Sequence, residues 1–268
     1  MNLKDQVWVI TGGSSGIGRR TAIDVAAAGA RVCIAARRED RLEKAVEELP
    51  GDDHSYAVTD VSDRHQVDRL VSHVDRAYGR CDVLVNNAGF SRESRFGEPQ
   101  TIENLHELMA TNFFGAAYCT AGFLPLLKRS KPSHVVNVAS MAGRLAVSGS
   151  SAYSASKFAL VGWSECLHYE LADAGINVSC VAPGPVPTEG FPQAELRNDR
   201  LLRFVLSSEA DVSKAIRDAV AHRKVERVVP RWYYLLQVPR LLVPPLYRFA
   251  QNRFMRIRDG RGSSPRSR

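Results

Sequence analysis

The sequence lacks the closely spaced cysteines and histidines that would indicate a structural metal site or a disulfide framework. Its five cysteines are scattered with no Cys-x-x-Cys pair, and most of them stand in apolar runs. Its seven histidines show no spacing typical of metal ligands. Buried, reduced thiols in a cytoplasmic protein are therefore expected, rather than disulfides or a bound metal.

Long apolar runs are also missing. No stretch reaches the roughly 18 uninterrupted apolar residues of a membrane-spanning helix. The first six residues lead straight into a strand-like run, so no secretory signal peptide is expected. With 268 residues, of which 44% are hydrophobic and 24% charged, the chain is predicted to form one large, soluble α/β domain.

Excess basic charge is confined to the C-terminal end. The chain has 36 Lys and Arg against 29 Asp and Glu, a net charge of +7. Residues 223–268 hold 12 of the basic residues and two acidic ones, so the first 222 residues have a net charge of −3. A near-neutral body argues against a general nucleic-acid-binding surface and moves any anionic partner to the C-terminal end.

A β-prone run near the N-terminus ends in a glycine-rich turn. Residues 7–10 are apolar, residues 11–18 read Thr-Gly-Gly-Ser-Ser-Gly-Ile-Gly, and residues 19–28 have a helical pattern. Such a turn lets the backbone approach a pyrophosphate, which sits on the free amides of the helix N-terminus. The residues predicted to bind a dinucleotide here are Gly12, Ser14, Ser15, Gly16, Ile17 and Gly18.

The end of the second predicted strand bears on the choice of cofactor. NAD-binding proteins usually carry an acidic residue there to bind the ribose hydroxyls. Here Ala36 is followed by Arg37 and Arg38, and a guanidinium suits a 2′-phosphate. The sequence therefore favours NADP(H) over NAD(H); the alternative is that both arginines are merely solvated.

Two later strand ends supply further candidate cofactor contacts. Strands and helices alternate in this half of the chain, which predicts right-handed βαβ crossovers and a parallel sheet. Ligands bind at the carboxyl ends of such strands. Asp60 and Val61 follow the third strand, where a side chain could reach an adenine edge. The fourth strand ends in Asn-Asn-Ala-Gly, which could also be a simple turn; its candidate contacts are Asn87, Ala88 and Gly89.

A phenol and an ammonium stand four residues apart at Tyr153 and Lys157. On a helix the two would project from one face, one turn apart. A nearby positive charge lowers the pKa of a phenol, so Tyr153 is a candidate general acid/base. Alone, the pair is more often an ordinary surface pair.

Three motifs in this order resemble the short-chain dehydrogenase/reductase family: Thr11-Gly12-x-x-x-Gly16-x-Gly18, Asn86-Asn87-Ala88-Gly89 and Tyr153-x-x-x-Lys157. The resemblance covers about residues 5 to 230. It implies a single doubly wound, Rossmann-like α/β domain over residues 1–230, with a parallel sheet of about seven strands. It also implies an NAD(P)-dependent oxidoreductase acting on CH–OH groups of a small molecule, and a homo-oligomer, either a dimer or a tetramer.

The same resemblance assigns roles to four residues. Tyr153 would transfer the proton, and Ser140, after the fifth predicted strand, would hydrogen-bond the substrate oxygen. Lys157 would lower the pKa of the tyrosine and bind the nicotinamide ribose. Asn112, which stands between two helix-like segments, would help to hold a water in the proton relay. The segment 183–188 is similar to the loop of the family that contacts the nicotinamide, and its predicted contacts are Pro183, Gly184, Val186 and Thr188.

The substrate region favours a lipophilic substrate. In the family, the region after residue 189 covers the substrate, and here it holds apolar residues between 191 and 205. Those residues could equally be the buried face of a short helix. A fatty-acyl-type 3-oxoacyl ketoreductase is the alternative enzyme. A catalytically silent NADP-sensing or scaffold protein is the alternative from another class, although it would have no need for Tyr153.

Residues 231–258 form an extension in which apolar and aromatic residues are interleaved with arginines. Its three prolines prevent one straight spanning helix. The composition is typical of a segment that lies on an anionic membrane, so a peripheral membrane contact is predicted. The alternative is packing over the substrate mouth or against another subunit. Residues 259–268 are predicted to be disordered.

Overall fold

A computed structural model of the protein describes residues 3–92, 96–146, 148–187 and 206–262, with side chains up to residue 253. The chain divides into two compact units, Met1–Pro230 and Arg231–Arg268. The first unit carries the sheet and the predicted site residues. The predicted division into 1–230, 231–258 and 259–268 remains a prediction.

Among the described residues, seven parallel strands form one sheet in the order β3-β2-β1-β4-β5-β6-β7. This is the doubly wound, Rossmann-like α/β fold predicted from the sequence. After β3 the chain returns past β1, and β4 pairs with β1 on the side opposite to β2. At such a point in a doubly wound sheet a ligand-binding crevice is expected, here at the carboxyl ends of β1 and β4. The strands are β1 Val7–Thr11, β2 Arg31–Ala36, β3 Ser55–Val58, β4 Val83–Asn86, β5 Ser133–Val138, β6 Ile176–Pro183 and β7 Glu226–Val229.

The helices of this unit connect successive strands. They are α1 Gly16–Ala26, α2 Glu39–Glu47, α3 Arg64–Tyr78, α4 Thr101–Met109, α5 Gly115–Arg129, α6 Ser151–Glu170 and α7 Glu209–Ala221. A π-helix, Ala110–Phe114, joins α4 to α5 without a break. Asn112, expected between two separate helical segments, therefore lies inside one continuous helical stretch.

Two clusters of buried apolar side chains hold the helices on the sheet. Trp8 and Ile10 of β1 belong to a cluster with residues of α1, α2 and α7. Val7 and Val9 belong to a second cluster with residues of α3 and α5. Alternate side chains of a strand point to opposite faces, so β1 is buried on both sides. That burial fixes the strand end from which the glycine-rich turn starts.

The cysteines are free thiols. Four of them are buried, and Cys166 is exposed. Within the described ranges, no group of three His, Cys, Asp or Glu residues is placed to hold a metal ion.

The described part of the second unit, residues 231–262, is mainly helical. A 3-10 turn, Arg231–Tyr233, leads into α8 Tyr234–Leu242, and α9 Pro244–Gly262 follows. The first residues of the segment predicted to be disordered, 259–262, are therefore helical, whereas 263–268 lie outside the described residues. No helix among the described residues is both long and apolar enough to cross a bilayer.

Candidate active site

The glycine-rich turn lies between β1 and α1 at the carboxyl edge of the sheet. Gly12 and Gly16 have φ angles of +65° and +56°, which residues other than glycine rarely adopt. A Cβ on Gly18 would lie 2.3 Å from the carbonyl oxygen of Gly12, so α1 packs directly on the turn. Ser15 is the N-cap residue of α1 and makes no side-chain capping bond within the described structure. The first amides of α1 are therefore available to an anion.

Asn87 ties the end of β4 to this turn. Its Nδ2 donates to the carbonyl oxygens of Thr11 at 3.0 Å and Gly12 at 3.3 Å. The Thr11 hydroxyl oxygen accepts from the backbone amides of Asn87 and Ala88, both at 3.0 Å. The amide group of Asn87 thus supports the turn, while Gly89 stands exposed beyond it.

The residues predicted to surround the adenosine end lie after β2 and β3. Arg37 and Arg38 are both exposed, and Arg38 is the N-cap residue of α2. Asp60 is half-buried, and its Oδ1 accepts from the Ser62 amide at 2.9 Å and the Ser62 hydroxyl at 2.6 Å. Val61 is buried. All four stand at the same carboxyl edge as the glycine-rich turn, since the strands are parallel.

Tyr153 and Ser140 are hydrogen-bonded to each other. Tyr153 lies in the first turn of α6 and is buried, with 7% of its surface exposed. Ser140 follows β5, and its Oγ accepts from the Ala142 amide at 3.1 Å at the start of a 3-10 turn, Met141–Gly143. Burial raises the pKa of Tyr153 to about 12, and the hydrogen bond with Ser140 acts in the opposite direction.

Lys157 lies one helical turn beyond Tyr153 and is also buried. Its Nζ donates to the Val138 carbonyl oxygen at 3.0 Å and lies 5.9 Å from the centroid of the Tyr153 ring. Burial lowers the pKa of Lys157 to about 8, and the Cys180 thiol opposes that shift. The sequence predicts that Lys157 lowers the pKa of Tyr153. Burial is the larger cause of the shift in the Tyr153 pKa, the hydrogen bond with Ser140 lowers that pKa, and the effect of Lys157 stays a prediction.

Asn112 is held inside the π-helix with 1% of its surface exposed. Its Nδ2 donates to the Phe90 carbonyl oxygen and to Ser156 Oγ, and its Oδ1 accepts from the Phe90 amide, each at 3.0 Å. A Cβ on Gly89 would lie 2.8 Å from Asn112 Oδ1 and 3.5 Å from Lys157 Nζ. Asn112 and Lys157 therefore both lie beside Gly89. Short π-helices are frequent at functional sites.

The four residues predicted to be catalytic are thus brought together at the carboxyl ends of β4 and β5. Phe90 and Ser156, which hold Asn112, were missed in the sequence. Each directly adjoins a motif residue, Gly89 or Lys157, and that adjacency was the signal available for finding them.

The loop after β6 carries the last predicted contacts. Pro183 ends the strand, the Gly184 amide donates to the Val229 carbonyl oxygen at 2.7 Å, and Val186 is buried. Thr188 and the apolar residues of 191–205 lie outside the described residues. The structure therefore describes the start of the predicted nicotinamide loop and not its end.

Comparison with known proteins identifies the family of the chain. Residues 6–199 match the family model described as short chain dehydrogenase. An uncharacterized oxidoreductase of Staphylococcus saprophyticus is 37% identical over 190 residues, 70% of this chain and 77% of that protein. The 11-beta-hydroxysteroid dehydrogenase 1A of Arabidopsis thaliana is 31% identical over 260 residues, 91% of this chain and 74% of that protein.

The fold is also similar to that of a solved structure. The crystal structure of a short chain dehydrogenase/reductase from Burkholderia phymatum in complex with NAD has a TM-score of 0.79 and 28% identity. The similarity covers 90% of this chain and 94% of that one. From the family match, the relatives and the shared fold, the chain belongs to the short-chain dehydrogenase/reductase family of NAD(P)-dependent oxidoreductases.

Proposed function

We propose that this chain is an NADP(H)-dependent oxidoreductase that interconverts a carbonyl and a secondary alcohol on a small, lipophilic substrate, with Tyr153 as general acid/base. The observation that carries the proposal is the hydrogen bond between the buried Tyr153 and Ser140, with the Lys157 ammonium nearby. Two hydroxyl donors and a cation form a site that can stabilise negative charge developing on a substrate oxygen.

The residues present fit a nicotinamide dinucleotide. The positive φ angles at Gly12 and Gly16 and the open start of α1 suit a pyrophosphate. When bound, the cofactor supplies or accepts the hydride. The residues proposed to hold it are Gly12, Ser14, Ser15, Gly16, Ile17, Gly18, Arg37, Arg38, Asp60, Val61, Asn87, Ala88, Gly89, Tyr153, Lys157, Pro183, Gly184, Val186 and Thr188.

The side chains of the site would move the proton. In the direction of reduction, Tyr153 Oη donates its proton to the substrate oxygen while Ser140 Oγ hydrogen-bonds the same oxygen. Lys157 stabilises the phenolate that remains, and Asn112 holds the adjoining Gly89–Phe90 segment. Tyr153 is protonated at neutral pH, the form that reduction requires, because its ordinary pKa of 10.0 already lies above neutral pH and burial raises it to about 12.

Apolar packing around Tyr153 supports a lipophilic substrate. Leu108 and Ala152 are buried with Tyr153 in one cluster. Half-buried Phe90, Leu105 and Ala142 pack against that cluster. These apolar side chains around Tyr153 favour a substrate with a hydrocarbon body.

A substrate panel tests the proposal. Apolar ketones, secondary alcohols and 3-oxoacyl thioesters are assayed by the absorbance of NADPH or NADH. Turnover of free apolar ketones or alcohols with NADP(H) is the expected result. A preference for the thioesters would favour the fatty-acyl ketoreductase, and cofactor binding without any turnover would favour the silent sensor or scaffold.

We also propose that the C-terminal unit contacts an anionic membrane surface. Five side chains of α8 at helical spacing form an exposed apolar face: Tyr234, Leu235, Val238, Leu241 and Leu242. Leu241 and Leu242 are 76% and 75% exposed. Residues 231–268 also carry nine arginines and one aspartate. An apolar face with many arginines suits the boundary between lipid headgroups and acyl chains.

We further propose that the protein is cytoplasmic and forms a homo-oligomer, either a dimer or a tetramer. Exposed apolar side chains near the π-helix, Ile102 at 52% and Phe114 at 44%, are available for contact with a second copy. Light scattering of the purified protein measures the oligomeric state. A monomer at all concentrations would contradict this part of the proposal.

A further inference from the structure

Ser156 connects two parts of the candidate active site. Its Oγ donates to the Tyr153 carbonyl oxygen at 2.8 Å and accepts from Asn112 Nδ2 at 3.0 Å. Ser156 is fully buried, so water cannot replace either bond. A serine hydroxyl has one proton to donate, and Ser156 donates it to the Tyr153 carbonyl oxygen, within the helical turn that bears Tyr153 and Lys157. Its acceptor side is thereby directed at Asn112.

The amide of Asn112 has no donor to spare. Nδ2 donates one proton to Ser156 Oγ and the other to the Phe90 carbonyl oxygen, while Oδ1 accepts from the Phe90 amide. If the side-chain amide of Asn112 were rotated by 180°, its oxygen would face the Phe90 carbonyl oxygen, which is also an acceptor. The bonds to Phe90 therefore define the orientation of the amide. Without Ser156 Oγ, one buried N–H would lose its partner, which is costly in a dry interior.

The position of Asn112 depends on these bonds because its backbone is unusual. The π-helix is a rare conformation that the chain adopts here for only five residues, Ala110–Phe114. The segment that Asn112 holds, Gly89–Phe90, adjoins the Lys157 ammonium. A shift of Asn112 would therefore move Gly89, which lies beside Lys157. It would also disturb Ser156, which is hydrogen-bonded to the Tyr153 carbonyl oxygen.

We propose that Ser156 is a positioning residue for proton transfer, acting through Asn112 on the geometry of Tyr153 and Lys157. The inference rests on the proposed function of Tyr153. Ser156 touches neither the substrate oxygen nor the transferred proton. Its loss should therefore lower kcat by a larger factor than it raises the KM for the cofactor.

A double-mutant cycle separates this role from a merely structural one. Ser156→Ala should lower kcat by roughly 10- to 100-fold, since small displacements of reacting groups have effects of that size. If Ser156 acts through Asn112, then Ser156→Ala should cause little further loss in an Asn112→Ala background. Losses in kcat that multiply in the double variant would overturn the proposal, as would an unchanged kcat in Ser156→Ala.

Ser164 supplies a matched control in the same helix. It is also buried, and its Oγ donates to the Leu160 carbonyl oxygen at 2.6 Å and accepts from Asn137 Nδ2 at 2.9 Å. Ser164→Ala removes the same pair of bonds without touching Asn112. It should lower thermal stability about as much as Ser156→Ala and leave kcat nearly unchanged. An equal loss of kcat in both variants would show that α6 is merely weakened, and would overturn the proposal.

Conservative variants keep the test valid if Ser156→Ala folds poorly. Ser156→Thr retains the hydroxyl, which in a helix can still bond the carbonyl three residues back, and should restore most of kcat. Ser156→Cys keeps the size of the side chain and weakens both bonds, so it can replace Ser156→Ala in the cycle. Normal turnover by Tyr153→Phe would contradict the proposed function itself. A fully active Ser156→Ala beside an inactive Tyr153→Phe would contradict only the role of Ser156.

Discussion

Burial shifts the pKa values of Tyr153 and Lys157 in opposite directions. It raises the pKa of the phenol to about 12 and lowers the pKa of the ammonium to about 8, because a dry environment disfavours both charged forms. The two residues were recognisable from their spacing together with the glycine-rich turn and the Asn-Asn-Ala-Gly motif. Their environment was not, since the burial and the hydrogen bond from Lys157 to Val138 depend on the folded contacts.

The lowered pKa of Lys157 predicts a pH dependence of stability. Between pH 8 and its ordinary pKa of 10.5, the unfolded chain holds a proton that the folded chain has released, so stability rises with pH. The stability of the wild type relative to Lys157→Met should therefore increase by about 2 kcal/mol from pH 7 to about pH 9.5, measured by urea unfolding. The exposed Lys214→Met serves as control and should show little change. A flat difference between wild type and Lys157→Met would contradict the desolvation of Lys157.

Arg37 is predicted to bind the 2′-phosphate of NADP(H). Arg37→Ala should raise the KM for NADPH by roughly 10- to 100-fold, because a charge-assisted hydrogen bond is lost, and should barely change the KM for NADH. Arg69→Ala on α3 also removes an exposed guanidinium and should affect neither cofactor. Equal changes in both KM values would mean that Arg37 does not recognise the phosphate.

At the scale of elements, the strands were the most predictable part of the molecule. The second strand was expected to end at Ala36, and β2 does end there, because its apolar run stops where two arginines follow. Helix α7 was missed. Its start is marked by a capping box between Ser208 and Asp211, with Asp in place of the commoner Glu or Gln. The π-helix could not be predicted either, because Phe90 and Ser156, which hold Asn112, are distant from it in sequence.

Because α1 packs closely on the glycine-rich turn, a methyl group added at Gly18 should weaken cofactor binding and lower stability. In Gly18→Ala, the Cβ would lie 2.3 Å from the Gly12 carbonyl oxygen, so the turn or the helix must shift. Cofactor binding should weaken by at least about tenfold, and the protein should lose about 1–3 kcal/mol of stability. Gly162→Ala in α6 meets no atom within 4 Å and should stabilise the protein by about 0.5–1 kcal/mol. Normal cofactor binding in Gly18→Ala, measured by fluorescence titration, would contradict the placement of the pyrophosphate.

At the scale of the whole molecule, alternation of strands and helices predicted a parallel sheet, and the resemblance to the family implied its doubly wound arrangement. The handedness of βαβ units and short connections act on any sequence of this pattern and leave few possible strand orders. The substrate was not predictable to the same degree. Its recognition depends on side chains gathered from distant segments, such as Phe90, Leu108 and Ala142 around Tyr153.

The C-terminal unit predicts a lipid-dependent location. The intact protein should sediment with vesicles of phosphatidylserine and phosphatidylcholine, and not with phosphatidylcholine alone, and added salt should weaken the binding. Leu241→Gln combined with Leu242→Gln should abolish sedimentation by removing the two most exposed apolar side chains of α8.

Val58→Gln combined with Val225→Gln is the control for that experiment. It replaces two exposed apolar side chains in the first unit, which are 46% and 40% exposed, and should leave binding intact. An intact protein that stays in the supernatant with anionic vesicles would contradict the membrane contact.

The most direct test of the central claim is the turnover of Tyr153→Phe. The variant removes one oxygen atom from a buried ring and leaves the glycine-rich turn unchanged. Its kcat should fall by roughly 100-fold or more, the contribution of a positioned general acid/base, while NADPH still binds. Tyr169→Phe, at a 70% exposed position of the same helix, should keep full activity. If Tyr153→Phe turns over substrate at close to the wild-type rate, Tyr153 is not the proton donor and the proposed mechanism is wrong.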